Sequence, residues 1–553
     1  MIQFKTIDGL LLRDMAMAGA ALLEKNREAV DALNVFPVPD GDTGTNMSLT
    51  MQSAIREINS KEYLRADEAA SALSKGALKG ARGNSGVITS QLLRGFTKAL
   101  KGVEKITPLQ FAEALGKGAE VAYKAVMKPK EGTILTVARV VAEDALKQAQ
   151  KDPEDYDGLI SVMLKSGEAI LKKTPDMLPA LKQAGVVDSG GRGLMLIYQG
   201  YAAVLRGEDI NLTETGMEED ADSANDWHDL SRELTHTYCV QFDIHRFRED
   251  CDEHDLDSFR RRLNRIGDCV SVTGDLTEAK VHVHTDNPGL ALEYGLELGE
   301  LNNIKLDNLA EMKRALEGEK TPAEAEDTAE EAAPEKPYGM VAVSLGAGFT
   351  TFFQDLGVEQ VVEGGQTMNP AVDDILCALK RVPAEHVFIL PNNGNVIFAA
   401  NQAARMSSKD VRVIPTKNMA MGIAAAIAFS EEQDVEANFA AMCKAADHVK
   451  TATVTYAIRD SEYNGIAIKE GDIIGLHNGQ IEFSGPSIHD VALETLKNVV
   501  TDEDELITVY YGADVAEADA EALTRELANL YDSCDVEYHN GGQPLYYYLI
   551  SVE

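Results

Sequence analysis

The hydrophobic pattern of this chain changes period twice, and each change falls on an acidic, turn-rich stretch. Up to Arg206 the apolar residues recur at helical spacing, as Leu10, Leu11, Met15, Ala18, Leu22 and Val30 do in the first segment. The spacing predicts helices over 8–33, about 47–58, 66–79, 108–126, 133–150 and 157–173, and a last one ending near Arg206. Residues 207–227, with Glu208, Asp209, Glu218, Glu219, Asp220, Asp222 and Asp226, read as a linker. Residues 236–244 then alternate as a strand does, and two further strands and two helices follow. Residues 317–337, rich in Glu, Ala, Thr and Pro, form the second linker. Beyond them β-branched strands (340–344, 386–390, 411–414) alternate with helices, the signature of a parallel sheet covered on both faces. The expectation is a multidomain chain: an all-α domain at 1–206, a central α+β module at 228–316 and a C-terminal α/β domain at 338–553.

Charge narrows what such a chain binds. A net charge of −38 argues against nucleic acid and against attraction to anionic lipid, because both need a basic surface. An anionic substrate must therefore be met by local cations. The first residues, 1–12, carry Lys5 and Asp8 and no signal-type apolar core, and no run reaches the ~18 apolar residues of a membrane span. The six cysteines form no paired framework, as in a reducing compartment. The expectation is a cytoplasmic protein without membrane insertion.

Two loops carry chemistry. Asn34-Val35-Phe36-Pro37-Val38-Pro39 leads into Asp40-Gly41-Asp42-Thr43-Gly44-Thr45-Asn46, where two carboxylates converge across a glycine turn. Mg²⁺ takes one or two such carboxylates, completed by water and phosphate oxygens. Gly44 lets the backbone approach a phosphate, and Thr43, Thr45 and Asn46 add donors ahead of a helix whose N-terminus favours anions. An Asx-rich turn without ligand is the alternative. The second loop, Gly80-Ala81-Arg82-Gly83-Asn84-Ser85-Gly86, also precedes a helix. It is neither a Walker loop nor a dinucleotide fingerprint, since no Gly-Lys-Ser/Thr occurs and helices flank it. Its glycines can form an anion-binding concavity, with Asn84 and Ser85 as donors, or simply turn the chain.

In the central module His282 and His284 lie two apart on one strand and share a face. With Cys239 from another strand they suit Zn²⁺; two ordinary histidines on a polar face fit the spacing equally. The fourth ligand is open between His236, Asp286 and water, with Cys269 a weaker candidate. The C-terminal loops 364–370 and 391–395 offer amides and a hydroxyl but no acid–base pair, so ligand binding and partner docking both remain open.

The Asp40/Asp42 string resembles the metal loop of the ATP-binding subunit of dihydroxyacetone kinases and, more closely, that of bacterial fatty acid kinase. The resemblance runs in order over nearly the whole chain. It implies a DhaL-like barrel of eight helices, a Cys/His module, seen in 281–289, and a DegV-like C-terminal domain of the kind that binds lipid. Asn34 stands where the family has a third aspartate, so the site holds one or two Mg²⁺ ions. The resemblance places Thr136 beside ATP and makes 185–194 a nucleotide-covering loop, with Asp188 on ribose or base and Arg192 on phosphate. Arg82 would stabilise the charge of the transferring group. The implied reaction is phosphorylation of a fatty acid held by a separate DegV-like fatty-acid-binding partner, giving acyl-phosphate for phospholipid synthesis. A homodimer through the central module is also implied. The alternatives are a small-alcohol kinase of the dihydroxyacetone type and a non-catalytic nucleotide sensor or lipid scaffold.

Overall fold

The computed structural model describes residues 4–34, 41–126, 128–208, 236–248, 251, 253–274, 278–309, 335–365, 368–463 and 465–553. Asp40 lies outside the described residues, as do almost all residues of the two acidic linkers.

Among the described residues the elements of the N-terminal part are helices: α1 (Gly9–Lys25), α2 (Arg27–Asp31), α3 (Thr43–Asn59), α4 (Ala66–Lys79), α5 (Gly83–Ala99), α6 (Pro108–Ala125), α7 (Ile134–Lys151), α8 (Tyr156–Leu171), α9 (Thr174–Met177), α10 (Pro179–Ala184) and α11 (Ser189–Arg206). The single helix expected over 8–33 is two helices. Asn26 ends the first, because its Nδ2 donates to the Leu22 carbonyl at 2.7 Å and competes with the helical ladder. Elsewhere the starts follow their caps: Asp8 receives Leu11 N–H, Asp155 receives Gly158 N–H, and Thr107 and Gln110 form a capping box beside Pro108. The eight helices of 14 or more residues in this part form a closed circuit, each packed on the next in the chain and α11 returning to α1. That closing contact is backbone-close: a Cβ on Gly200 would lie 2.4 Å from Gly19 Cα. Leu12, Met15, Met51, Phe111, Val141, Tyr156 and Ile197 share one apolar core inside the circuit.

Among its described residues the C-terminal part has a two-stranded ribbon, Ser461–Tyr463 paired with Ile466–Ile468, and two larger sheets. A parallel one, ordered β6-β5-β7-β8, is made by β5 (Lys336–Ser344), β6 (Gln360–Glu363), β7 (Ala384–Leu390) and β8 (Asp410–Val413). Alternate residues of β5 and β7 point to opposite faces. Val341, Val343, Val387 and Ile389 pack with α15 (Val372–Arg381) and α16 (Ile397–Met406). Met340, Ala342, Phe388 and Leu390 pack with α14 (Ala347–Asp355), α17 (Met419–Ile427) and α18 (Val435–His448). Both faces are covered, as the unbroken apolar runs require. The second sheet is mixed and six-stranded, and in it Tyr548 is buried core.

Helical and C-terminal parts form one compact unit. Ala81 and Val87, at the second site loop, belong to the same buried cluster as Val372, Ile375 and Val396. Val372 N–H donates to the Ala81 carbonyl at 3.1 Å.

The central module is a separate unit. Its strands β1 (Tyr238–His245), β2 (Gly267–Gly274), β3 (Glu278–Thr285) and β4 (Glu300–Asn308) make an antiparallel sheet ordered β2-β3-β1-β4. Val240, Phe242 and Ile244 of β1 pack in its core with Phe259 and Leu263 of α12 (Glu253–Ile266) and Ala291 of α13 (Pro288–Leu296). The expected α+β module is present.

Candidate functional site

Neither α3 nor α5 has a cap from its own N-cap side chain. For α3 the missing acceptor comes from Asp31 at the end of α2. Its Oδ1 accepts from Gly44 N–H at 2.6 Å and Thr45 N–H at 3.2 Å, and its Oδ2 from Thr45 Oγ1 at 2.8 Å. Burial pushes the Asp31 carboxyl up, and those three hydrogen bonds and Arg27 pull against it. The Gly44 and Thr45 donors, expected to face phosphate, are thus engaged by a carboxylate that no sequence motif singles out.

Asn34 and Thr43 of the first loop turn towards the third loop, residues 185–194. Thr43 Oγ1 donates to Asn34 Oδ1 at 2.9 Å, and Ser189 Oγ, at the start of α11, lies 3.2 Å from both atoms. Asp42 is buried. The second loop closes on the first. Gly83 has φ +56°, a left-handed conformation that suits glycine, and a Cβ there would lie 2.3 Å from Asn46 Nδ2. Ser85 Oγ is 3.5 Å from the Thr43 carbonyl. Asn34, Asp42, Thr43, Asn46, Gly83, Asn84 and Ser85 therefore gather at one end of the helical circuit.

The C-terminal part reaches into this cluster. Asn369 Nδ2 donates to Asp42 Oδ2, and the Asn369 carbonyl accepts from Arg82 Nη1 at 2.8 Å. Arg82 also lies 3.7 Å from Asp374. Asn84 Nδ2 donates to Asn395 Oδ1 at 3.1 Å. Arg459 donates to the Ala32 carbonyl at 2.9 Å and to that of Asn34. Asn369 and Arg459 lie more than 280 residues from their partners in the chain; Asn369 belongs to the amide-bearing loop 364–370, and no local pattern marks Arg459.

The third loop is built on Asp188. Its Oδ2 caps α11 through Gly191 N–H at 2.7 Å, and it also receives Ile134 N–H at the start of α7. Burial pushes its carboxyl up to about 6. Thr136, expected beside nucleotide, is buried: its Oγ1 accepts Gly132 N–H at 2.8 Å and donates to Glu131 at 2.7 Å. Arg192, expected on phosphate, is held by Glu168 of α8 at 3.1 Å.

The first cluster suits a hard cation. Its donors are carboxylate, amide and hydroxyl oxygens, and Asn369 Oδ1 is a buried acceptor without a hydrogen-bond partner among the described residues.

In the central module β1 and β3 pair with Cys239 opposite His284 and Gln241 opposite His282, which sets the thiol diagonal to His282. The ligand atoms of Cys239, His282 and His284 lie within 4.8 Å of one another, and the two histidine Nε2 atoms are 3.2 Å apart. Tetrahedral zinc with bonds of about 2.0–2.3 Å needs spacings of this order. Asp268 Oδ1, 3.7 Å from His284 Nδ1, can orient that ring from behind. Asp268, Cys269 and His284 form an overlapping group, so Cys269 stays near the centre. His236 and Asp286 instead bond each other at 2.9 Å, a contact that lowers the Asp286 carboxyl to about 2.

Three family descriptions match the chain in order: the DAK2 domain over residues 37–203, the FakA-like middle domain of fatty acid kinase over 235–316, and the FakA-like C-terminal domain over 339–553. Protein YloV of Bacillus subtilis is 43% identical over 558 residues, covering 100% of both chains. An uncharacterised protein of Staphylococcus saprophyticus is 38% identical, covering 99% of each. Among solved structures, a fatty-acid-binding DegV family protein of Thermus thermophilus aligns with 39% of this chain and 99% of its own, at 15% identity and TM-score 0.30. The dihydroxyacetone kinase of C. freundii aligns with 36% of each chain, at 16% identity and TM-score 0.27.

Proposed function

The chain belongs to the FakA-like family of fatty acid kinase, and from that premise we propose that it phosphorylates a fatty acid carboxylate at the expense of ATP, releasing acyl-phosphate for phospholipid synthesis. The acyl chain arrives on a separate DegV-like fatty-acid-binding protein. No helix among the described residues is long and apolar enough to cross a membrane, in keeping with delivery by such a partner.

The observation that carries this reading is the meeting of two anion-suited loops around Asp42 at one end of the helical circuit. Bound ATP supplies the phosphoryl group, and one or two Mg²⁺ ions neutralise its charge. Asp42 and Asn34, with Asp40, would hold the metal. Thr43, Asn46, Gly83, Asn84 and Ser85 would meet phosphate oxygens. Gly44 and Thr45 serve by fastening the start of α3 to Asp31. Thr136, Asp188 and Arg192 build the wall beside the nucleotide. The acceptor carboxylate is ionised at neutral pH, so no strong general base is needed. The task is to bring one anion to another, which is positioning and charge neutralisation. Arg82, held between the Asn369 carbonyl and Asp374, would be the cation for it. Cys239, His282 and His284 would hold a structural Zn²⁺ that ties β1 to β3, in a module through which two copies pair.

The test is acyl-phosphate, trapped as hydroxamate from Mg²⁺-ATP and long-chain fatty acid, with and without a DegV-like protein from the same cell. Product that depends on the partner and is lost in Asp42→Ala supports the reading. Intact nucleotide binding without product favours a small-alcohol kinase or a sensor.

A further inference from the structure

Asn369 lies on the loop before α15, in the C-terminal part, and is fully buried against the helical part. Its side chain and its carbonyl reach two different pieces of the candidate site. Nδ2 donates to Asp42 Oδ2, and the carbonyl receives Arg82 Nη1 at 2.8 Å. The amide's orientation is fixed by chemistry, since turning it over would set its oxygen against a carboxylate oxygen. That leaves Oδ1 buried with no protein partner among the described residues. Buried acceptors of this kind are rare in folded proteins, and one beside a metal-suited carboxylate calls for a donor that arrives with the ligand. Water on a divalent cation is such a donor.

We propose that Asn369 is a positioning residue of the metal site, lent by the C-terminal part to the helical part. Its N–H fixes the Asp42 carboxylate, and its Oδ1 accepts from a water of the cation's shell. The same residue ties Arg82 to the same point, so metal binding and closure of the C-terminal part on the site assist each other. This rests on the metal-dependent kinase reading above and names a residue for that site.

The test is Mn²⁺ binding to the full-length chain without nucleotide, by calorimetry and by the paramagnetic signal of the bound ion. Asn369→Ala is expected to weaken binding by about ten- to a hundred-fold, the usual cost of losing an outer partner of a metal ligand. In an Asp42→Asn background it should cost less than in the wild type, because the part of its effect that runs through Asp42 is already gone; equal losses in the two backgrounds would overturn that coupling. Asp373→Ala removes a different contact of the same interface, the pair with Lys79, and should leave Mn²⁺ affinity unchanged. If Asn369→Ala does not fold, Asn369→Asp has the same shape and sets a second carboxylate against Asp42. Its melting temperature should rise with Mn²⁺ by more than the wild type's, and equal rises would overturn the proposal. Wild-type affinity in Asn369→Ala, with Asp42→Asn weakened, overturns this inference alone. Mn²⁺ binding indifferent to Asp42→Asn overturns the metal reading itself.

Discussion

A Cβ on Gly83 would sit 2.3 Å from Asn46 Nδ2, so the second loop and the start of α3 meet where only a hydrogen fits. Gly83 also holds φ at +56°, which costs other L-residues about 1–2 kcal/mol. Asn46 is buried and has little room to give way. Gly83→Ala is therefore expected to destabilise the helical part by about 2–4 kcal/mol, from the left-handed backbone and the overpacking together. Nucleotide affinity should fall with it, as the two loops are pushed apart. Thermal unfolding and ATP titration of the variant check this; full affinity would mean that the loops bind independently.

Asp31 makes a second, separable prediction. Asp31→Ala leaves the Gly44 and Thr45 N–H groups without their acceptor, a change equivalent to losing a helix cap, worth about 0.5–2 kcal/mol. Asp31→Asn keeps an acceptor oxygen and should recover most of that stability. If an ATP phosphate instead displaces Asp31 from these donors, Asp31→Ala will bind nucleotide more tightly despite its lower stability. Unfolding and nucleotide titration of both variants tell the two apart.

The helices and both loops are legible in the sequence because their signals are local: apolar spacing, and glycines and aspartates packed into seven-residue strings. The Cys/His cluster is legible for the same reason, since period two puts His282 and His284 on one face and antiparallel pairing with β1 brings Cys239 to it. Asp31 escapes such reading because it sits at the end of a helix and acts 13 residues later. Asn26 escapes it because one asparagine in a strongly periodic run reads as helix until its side chain takes a backbone carbonyl. Asn369 meets Asp42 across 327 residues, brought there by tertiary packing such as that of Val372 and Ile375 with Ala81 and Val87. Arg192 is the opposite case. A basic residue in a glycine-rich turn suggests phosphate, yet Glu168 on the neighbouring helix claims it.

Asp188 predicts a pH dependence. Burial raises its carboxyl to about 6, above the ordinary 3.8, so the folded state binds the proton more tightly than the unfolded chain does. Stability from this group is then full below the ordinary value, falls as pH rises between the two values and is lost above about 6. Asp188→Asn keeps an acceptor for Gly191 N–H and removes the titration. Hydrogen exchange at the first turns of α7 and α11, corrected for intrinsic rates, should show wild-type protection declining relative to Asp188→Asn across that window and running parallel above it. A constant difference would mean that Asp188 stays ionised throughout.

The central module predicts a metal-dependent stability. His282 and His284 hold their Nε2 atoms 3.2 Å apart, and the Cys239 thiol is fully buried beside them. Where three such groups ligate one cation, binding of zinc becomes folding free energy. Purified protein should carry zinc at one ion per chain, and Cys239→Ser and His284→Ala should each lose it. Chelation should lower the melting temperature of this module alone by about 4–8 °C for every kcal/mol that zinc contributes. Exchange protection should drop in β1 and β3 while the helical part is unchanged. Cys269→Ser separates the two overlapping groups. If zinc is held by Cys239, His282 and His284, that variant keeps its metal; loss of zinc there would move the centre towards Asp268 and β2.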